Sequence, residues 1–344
     1  MPKTPIILAL IAAILFGAAT PAGKFLLELF GTYQLAGLLY LGASSGVLPF
    51  ILRTKHFSWP WKFDKKTGLL LLGSVIFGGL LGPVLFLFGL RIASAASVSL
   101  WLNLELLATA LLGILLFRDH LTFLGWSSFA IMLAAAILVS IGEEKSGLLG
   151  GILVATACIC WGLDNHLTAL ITGISPAQIT FWKGLTAGTV NLSIGIITGN
   201  FTPAVSEIAL ALVIGAFSYG LSVMFFISAA QRIGATRSQI IFSASPFFGV
   251  LFSAIFLAET ISTLQMMSTL MILSALALLF FDHHSHVHRH GTTFHKHWHY
   301  HDDSHHDHGK ESPSHGIFHT HPHHHDDTTH SHPHWPDQNH RHDH

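Results

Sequence analysis

Four ionisable residues stand inside apolar runs long enough to be membrane helices, and chemistry can reside there. Glu105 lies within Leu102-Asn103-Leu104-Glu105-Leu106, Asp164 and His166 within Trp161-Gly162-Leu163-Asp164-Asn165-His166, and Lys183 within Phe181-Trp182-Lys183-Gly184. An ionisable group at membrane depth costs about 2.5–3.5 kcal/mol on insertion scales, so each needs a reason to be there. On a helix Trp161, Asn165 and Thr168 share a face, with Asp164 on its flank, about 100° from Asn165. One reading sets Glu105, Asp164, Asn165, Lys183 and Trp161 around a polar cavity. A carboxylate withdrawn from water can carry a coupling proton there, and Lys183 can bind a substrate carboxylate or neutralise Asp164. A second reading is a structural ion pair, Asp164–Lys183, that only ties helices six and seven together, and a third places Asp164 and His166 near the cytoplasmic end of their helix, in water. Lys24, close to the end of the first apolar run, is a further site candidate and can also snorkel to the interface. Asn103, Asn165 and Asn191 serve as interhelical hydrogen-bond partners as readily as ligand contacts. Glu259 falls in a short connection, where solvent is its expected partner.

A second chemistry is written beyond residue 282. Histidine recurs in His-x-His steps: His284, His286, His288 and His290, then His295, His297, His299 and His301, then His319, His321 and His323. Residues two apart in an extended chain point to the same side, so each step offers two imidazoles to one ion. Neutral imidazole suits Ni²⁺, Co²⁺, Zn²⁺ and Cu²⁺. Residues 282–344 hold 24 of the 27 histidines, with 9 acidic and 4 basic residues and few apolar ones. Such a segment cannot bury a core and is expected to be disordered.

The elements that must position the first set are membrane helices. Of the 344 residues, 51% are hydrophobic and 10% charged, against about 25% charged in a soluble domain. A spanning helix needs about 20 mostly apolar residues. Apolar runs predict ten, at 5–25, 33–53, 67–89, 94–117, 122–141, 147–169, 175–198, 207–230, 236–257 and 263–281. With both termini in the cytoplasm, the inside segments hold Lys3, Arg53, Lys55, Lys62, Lys65, Lys66, Arg118, Arg232 and Arg237, and the outside ones Lys24, Arg91 and Lys145. Basic residues favour the inner side, so the tail is expected there. The two cysteines, Cys158 and Cys160, are two apart and do not face each other on a helix, so they imply no disulfide framework.

The chain also repeats itself. Arg91-Ile92-Ala93-Ser94-Ala95 and Arg232-Ile233-Gly234-Ala235-Thr236 each open an apolar helix that ends at an acidic residue, Asp119 and Glu259. Phe16-Gly17 echoes Trp161-Gly162. Two halves of five helices, 1–142 and 146–281, lie in opposite orientations because the helix count per half is odd, which is the inverted-repeat plan of many secondary transporters.

These residues resemble the drug/metabolite transporter superfamily, in its EamA-type form with two EamA domains. The resemblance rests on Leu15-Phe16-Gly17 with Lys24, the Arg-Ile-Ala-Ser-Ala-Ala-Ser stretch from Arg91, Cys160-Trp161-Gly162, the stretch from Arg232, and Ser245-Pro246-Phe247 leading to Ala258-Glu259. It departs from the family in having Glu105 where proline is usual, and no arginine around Leu39-Tyr40-Leu41. The resemblance implies transport of small metabolites, often amino acids or amphipathic amines.

The expected fold is therefore all-α and integral to the membrane, ten helices in two inverted repeats plus a tail. The expected function is secondary active transport of a small organic metabolite; the alternative is a Ni, Co or Zn transporter whose tail buffers or senses the ion. Enzymatic activity is not expected: the chain lacks a His-Glu-x-x-His zincin motif and a phosphate loop. The partners expected are the lipid bilayer, a small-molecule substrate and divalent metal ions, not nucleic acid. No cofactor is required. The expected location is the bacterial inner membrane, multi-pass.

Overall fold

The computed structural model describes residues 3–53, 57–117 and 123–281, and in the tail 284–290, 293–299, 319–325 and 328–334. Ten helical rods order the first part: α1 Thr4–Leu26, α2 Thr32–Leu52, α3 Lys65–Ile92, α4 Ala95–Leu116, α5 Phe123–Gly142, α6 Gly147–Ala169, α7 Pro176–Thr198, α8 Val205–Ile233, α9 Ala235–Phe256 and α10 Thr263–Leu279. Eight are long and apolar enough to cross a membrane, and α10 is a shorter apolar helix. Helix α7, 23 residues long, is not among the eight. It carries Gln178, Thr180, Lys183 and Asn191, all buried, and these polar groups face other helices instead of lipid.

Lipid gives helices no hydrophobic reason to associate, so close backbone approach and interhelical hydrogen bonds hold such bundles together. Helix α2 meets α7 through glycine. A methyl group at Gly184 would sit 2.7 Å from the Tyr40 carbonyl oxygen, and one at Gly188 would sit 2.7 Å from the Leu41 nitrogen. The Gln34 amide closes one end of this pair, donating to the Gly195 carbonyl at 3.0 Å and the Asn200 carbonyl at 2.9 Å. The fully buried Trp101 ties α4 to α5, its indole N–H donating to the Ala136 carbonyl at 3.1 Å. Asp64 caps α3, accepting from the Lys66 and Thr67 N–H groups at 3.1 and 3.2 Å. Hydrogen bonds from Thr67 hold its carboxyl below the usual range.

The repeat is visible in the irregularities of the helices. Helices α3 and α8 each contain a π-helical stretch, Val75–Leu81 and Gly215–Leu221. Each is closed by an N–H reaching five residues back, from Gly82 to the Phe77 carbonyl and from Ser222 to the Phe217 carbonyl. Helices α4 and α9 both break midway, between Trp101 and Leu104 and between Phe242 and Ser245. Pro246 explains the second break, since its ring has no N–H and crowds the preceding turn. The first has no proline. There the Asn103 amide donates back to the Leu100 carbonyl at 3.1 Å, and the N–H groups of Asn103, Glu105 and Leu106 reach only three residues back. Gly17 in α1 abuts Ser245 and Phe248 of α9, while Gly162 in α6 abuts Ala108 and Thr109 of α4. The first helix of each half thus packs on the broken helix of the other.

In the tail, which the sequence predicts to be disordered, the described backbone runs as four strands, β1 His284–His290, β2 Thr293–His299, β3 His319–His325 and β4 Thr328–His334. β1 pairs antiparallel with β4 and β2 with β3, the latter placing His295 opposite His323 and His297 opposite His321. Threonine and alternating polar residues fit extended backbone. Two-stranded pairs are marginal in water, and Pro322 and Pro333 have no N–H to give. The difference from the sequence expectation is confined to backbone pairing. His301 lies outside the described residues.

Candidate substrate cavity

The α4 break, the α3 π-stretch and helices α6 and α7 converge on one cavity. Its polar residues are Glu105, Asp164, Asn165, Thr168 and Lys183, and its aromatic walls include Phe16, Tyr40, Trp161, Tyr219, Phe226 and Phe242. Both halves of the chain contribute. About 40 Å³ is open to water-sized occupants, room for about three or four waters at about 10–15 Å³ each and too little for an organic metabolite.

Two polar clusters share the cavity. In the first, Lys183 Nζ lies 2.6 Å from Asp164 Oδ2, and the Ser74 hydroxyl donates to Asp164 Oδ1 at 2.5 Å. Gly78 makes this possible, because a methyl group there would overlap the Asp164 carboxylate. The widened π-turn also leaves carbonyls free for side chains. The Gly78 carbonyl accepts from the Tyr40 hydroxyl and from the Trp161 indole at 3.3 Å, and the Gly79 carbonyl accepts from the Asn191 amide at 3.2 Å. In the second cluster, the Asn165 amide donates to Glu105 Oε1 at 2.9 Å, to the Thr109 hydroxyl at 3.2 Å and to Gln239 Oε1 at 3.3 Å. Glu105, at 6% exposure, has no cation within ion-pair distance among the described residues. The cavity formally carries two carboxylates and one ammonium.

Of the six cavity candidates in the sequence, Glu105, Asp164, Asn165, Lys183 and Trp161 meet here. Lys24 does not line it. Its ammonium donates to the Leu90 carbonyl at 2.9 Å and the Ala93 carbonyl at 2.7 Å, at the far end of α3. Asp164 and His166, which one reading placed at a wet helix end, are buried; His166 Nε2 lies 2.7 Å from the Thr109 carbonyl. Glu259, expected in solvent, instead binds backbone N–H groups of α4 at 2.9 Å. Sequence reasoning missed Phe16, Tyr40, Tyr219, Phe226 and Phe242 as cavity groups, and Ser74 and Gln239 as hydrogen-bond partners of Asp164 and Asn165. Only Phe16 and Tyr40 left a signal, one in the Phe16-Gly17 echo of Trp161-Gly162 and the other where the expected helix-two arginine is absent. Among the described residues, no three His, Cys, Asp or Glu side chains gather as metal ligands.

The aromatic walls are tied to one another. The Phe16 ring lies edge-on to Trp161 at 6.0 Å and to Tyr219 at 5.6 Å, and within 5.3 Å of Phe242. One residue of α1 therefore contacts α6, α8 and α9. A model of the EamA-like transporter family matches residues 3–141 and again 148–281. This chain belongs to that family. The double match coincides with the paired π-stretches and paired helix breaks. An uncharacterized transporter of Methanothermobacter thermautotrophicus is 27% identical over 293 residues, covering 79% of this chain and 84% of the relative. A solved crystal structure of a protein superposes with a TM-score of 0.64 at 13% identity, covering 81% of this chain and 97% of that one; it shares the fold. The EamA-like chain is a multi-pass membrane transporter, and its eight long apolar helices set it in the bilayer.

Proposed function

We propose that this protein is a secondary active transporter of a small organic metabolite, moved through the cavity between its two halves. The observation that carries the reading is the meeting of Glu105, Asp164 and Lys183 with six aromatic rings at the junction of the repeats. The rings offer apolar faces to a substrate's body. Lys183 and Asp164 offer opposite charges to its ends, and Glu105, hydrogen-bonded by Asn165, can exchange a proton with the transport cycle. Alternating access at a site between inverted repeats needs only rocking of one half against the other. The orientation proposed is both termini inside, in the cell membrane.

The tail is proposed as a cytoplasmic binder of Ni²⁺, Co²⁺, Zn²⁺ or Cu²⁺ through its His-x-His steps. Its 24 histidines also favour a second reading, in which the ion itself is the cargo. One experiment separates these. Full-length protein and a chain ending at Asp282 are reconstituted in liposomes under a proton gradient, and fluxes of Ni²⁺, Co²⁺ and Zn²⁺ are measured beside counterflow of amino acids and organic amines. Organic counterflow lost in Glu105→Gln and in Lys183→Met supports the metabolite reading. Metal flux that survives truncation overturns it, and normal transport by both variants overturns the cavity assignment.

A further inference from the structure

The end of the bundle that carries Lys24 is cross-tied around the first turn of α4. The Ser94 N–H donates to Glu143 Oε2 at 3.1 Å, and the Ser94 hydroxyl donates to the same carboxylate. The Ala95 and Ala96 N–H groups donate to the two oxygens of Glu259, each at 2.9 Å. The Ser97 N–H returns to the Ser94 hydroxyl at 3.2 Å. Four consecutive N–H groups of a helix start, which have no backbone partner within the helix, are thus held by two other segments and by the Ser94 side chain of the helix start itself. Gln265 of α10 adds bonds to the Ser97 hydroxyl at 2.8 Å and the Ser94 hydroxyl at 3.3 Å. Beside them Lys24 of α1 holds the end of α3 through the Leu90 and Ala93 carbonyls, and Arg91 answers by donating to the Leu27 and Phe30 carbonyls at 3.2 and 3.0 Å.

Glu259 differs from an ordinary cap. It is supplied by the connection after α9, in the other half of the chain, and reaches α4 across the repeat boundary. It is also aimed by a strained backbone. Ala258 has φ 53, the only positive φ at a non-glycine among the described residues, and the Glu259 N–H closes back on the Ser253 carbonyl at 3.4 Å. A non-glycine residue holds that conformation only where its surroundings fix it. Of the other capping carboxylates, Glu143 reaches Ser94 from the connection after α5, and Glu207 caps its own helix by accepting from the Ala204 N–H at 2.9 Å and joins no second helix. Glu105 lies ten residues along α4 from Ala95, about 15 Å at 1.5 Å per residue, so the tie stands between the cavity and that end.

We propose that Glu259 is the latch of a gate, its carboxylate on the Ala95 and Ala96 N–H groups closing the Lys24 end of the pathway. Closure pins the end of α9 to the start of α4, and opening requires those two N–H groups to exchange Glu259 for water. The proposal rests on the transport reading, but its test requires no substrate.

The test uses the full-length chain with Cys158 and Cys160 replaced by alanine and Val223, which lines the cavity, replaced by cysteine. Modification by a membrane-impermeant maleimide is followed in right-side-out and in inside-out vesicles, so either orientation is read. Losing a charge-assisted pair of hydrogen bonds shifts a closed–open balance by roughly tenfold or more. Glu259→Gln is expected to speed labelling from the Lys24 side by about that factor, Glu259→Asp by less, and Glu207→Gln not at all. Gln265→Ala, which leaves Glu259 intact, is expected to act in the same direction and keeps the test open if Glu259→Gln does not fold. Labelling from that side unchanged in the folded variants overturns the latch, as does equal acceleration by Glu207→Gln. The transport reading is tested separately by organic counterflow, which does not enter this labelling rate, so the two can fail independently.

Discussion

Replacing Lys183 by methionine deletes the ammonium that lies 2.6 Å from Asp164 and leaves the carboxylate buried. The gross attraction between unit charges at 2.6 Å is about 6 kcal/mol at an effective dielectric of about 20. Desolvation of both ions offsets most of it, so the pair as a whole contributes little. Breaking it from one side is another matter, because Asp164 then keeps only the Ser74 hydroxyl, and an uncompensated buried charge costs about 3–5 kcal/mol. The double variant Asp164→Asn/Lys183→Met removes both charges at similar volume and is expected within about 1–2 kcal/mol of the parent. Reversible unfolding of each variant in mixed micelles, combined as a double-mutant cycle, gives the coupling. The same four proteins in liposomes decide between the two roles left open by the sequence. A pair that only joins α6 to α7 leaves the double variant stable and active; a pair that handles substrate leaves it stable and inactive. A single Lys183→Met variant within about 1 kcal/mol of the parent would refute the burial reasoning, as would a double variant destabilised by the sum of the singles.

Glu105→Gln keeps an acceptor for the Asn165 amide while removing the charge; unfolding should be little changed and proton-driven counterflow lost, measured with a pH dye inside the vesicles. Gly184→Ala drives a methyl group to within 2.7 Å of the Tyr40 carbonyl and should cost about 1–3 kcal/mol in the same micelle unfolding assay, as overpacking does. Trp101→Phe removes one donor from the Ala136 carbonyl, which the Ser140 hydroxyl still satisfies at 3.0 Å, so the loss should be about 1 kcal/mol; Trp101→Ala empties a fully buried site and should lose about 3–5 kcal/mol.

The helices were legible because membrane burial demands long apolar runs, and the runs predicted by composition match the rods to within a few residues. Helix α7 shows the limit of hydropathy. Its Lys183 and Asn191 find partners on neighbouring helices, which no windowed average can register. The charged centre was legible for the cost reason: a carboxylate or ammonium among leucines must have partners, and Glu105, Asp164 and Lys183 have them. The aromatic wall was not, since Tyr219, Phe226 and Phe242 look like ordinary packing until the fold brings them beside Phe16. Glu259 was misread because a short connection between membrane helices suggests water. Nothing in the local sequence tells that four N–H groups of a distant helix start await partners. Ser74 and Gln239 fall in the same class, being long-range hydrogen bonds between residues whose spacing carries no period.

The two broken helices explain why Glu105 can stand where it does. The offset of 141 that aligns Arg91 with Arg232 also aligns Glu105 with Pro246. In α9 the proline itself interrupts the helix, and its side chain can do nothing else. In α4 the interruption is maintained by Asn103, whose amide returns to the Leu100 carbonyl, and by backbone bonds three residues long. With the break secured from position 103, position 105 is released from making it, and a residue with an ionisable side chain can occupy the same place in the pseudo-symmetric frame. That place faces the centre of the molecule, opposite Asn165 of the other half. Glu in place of Pro therefore costs α4 none of its geometry and gives the cavity, beside Asp164, a second carboxylate that the matching Pro246 of the other repeat does not supply.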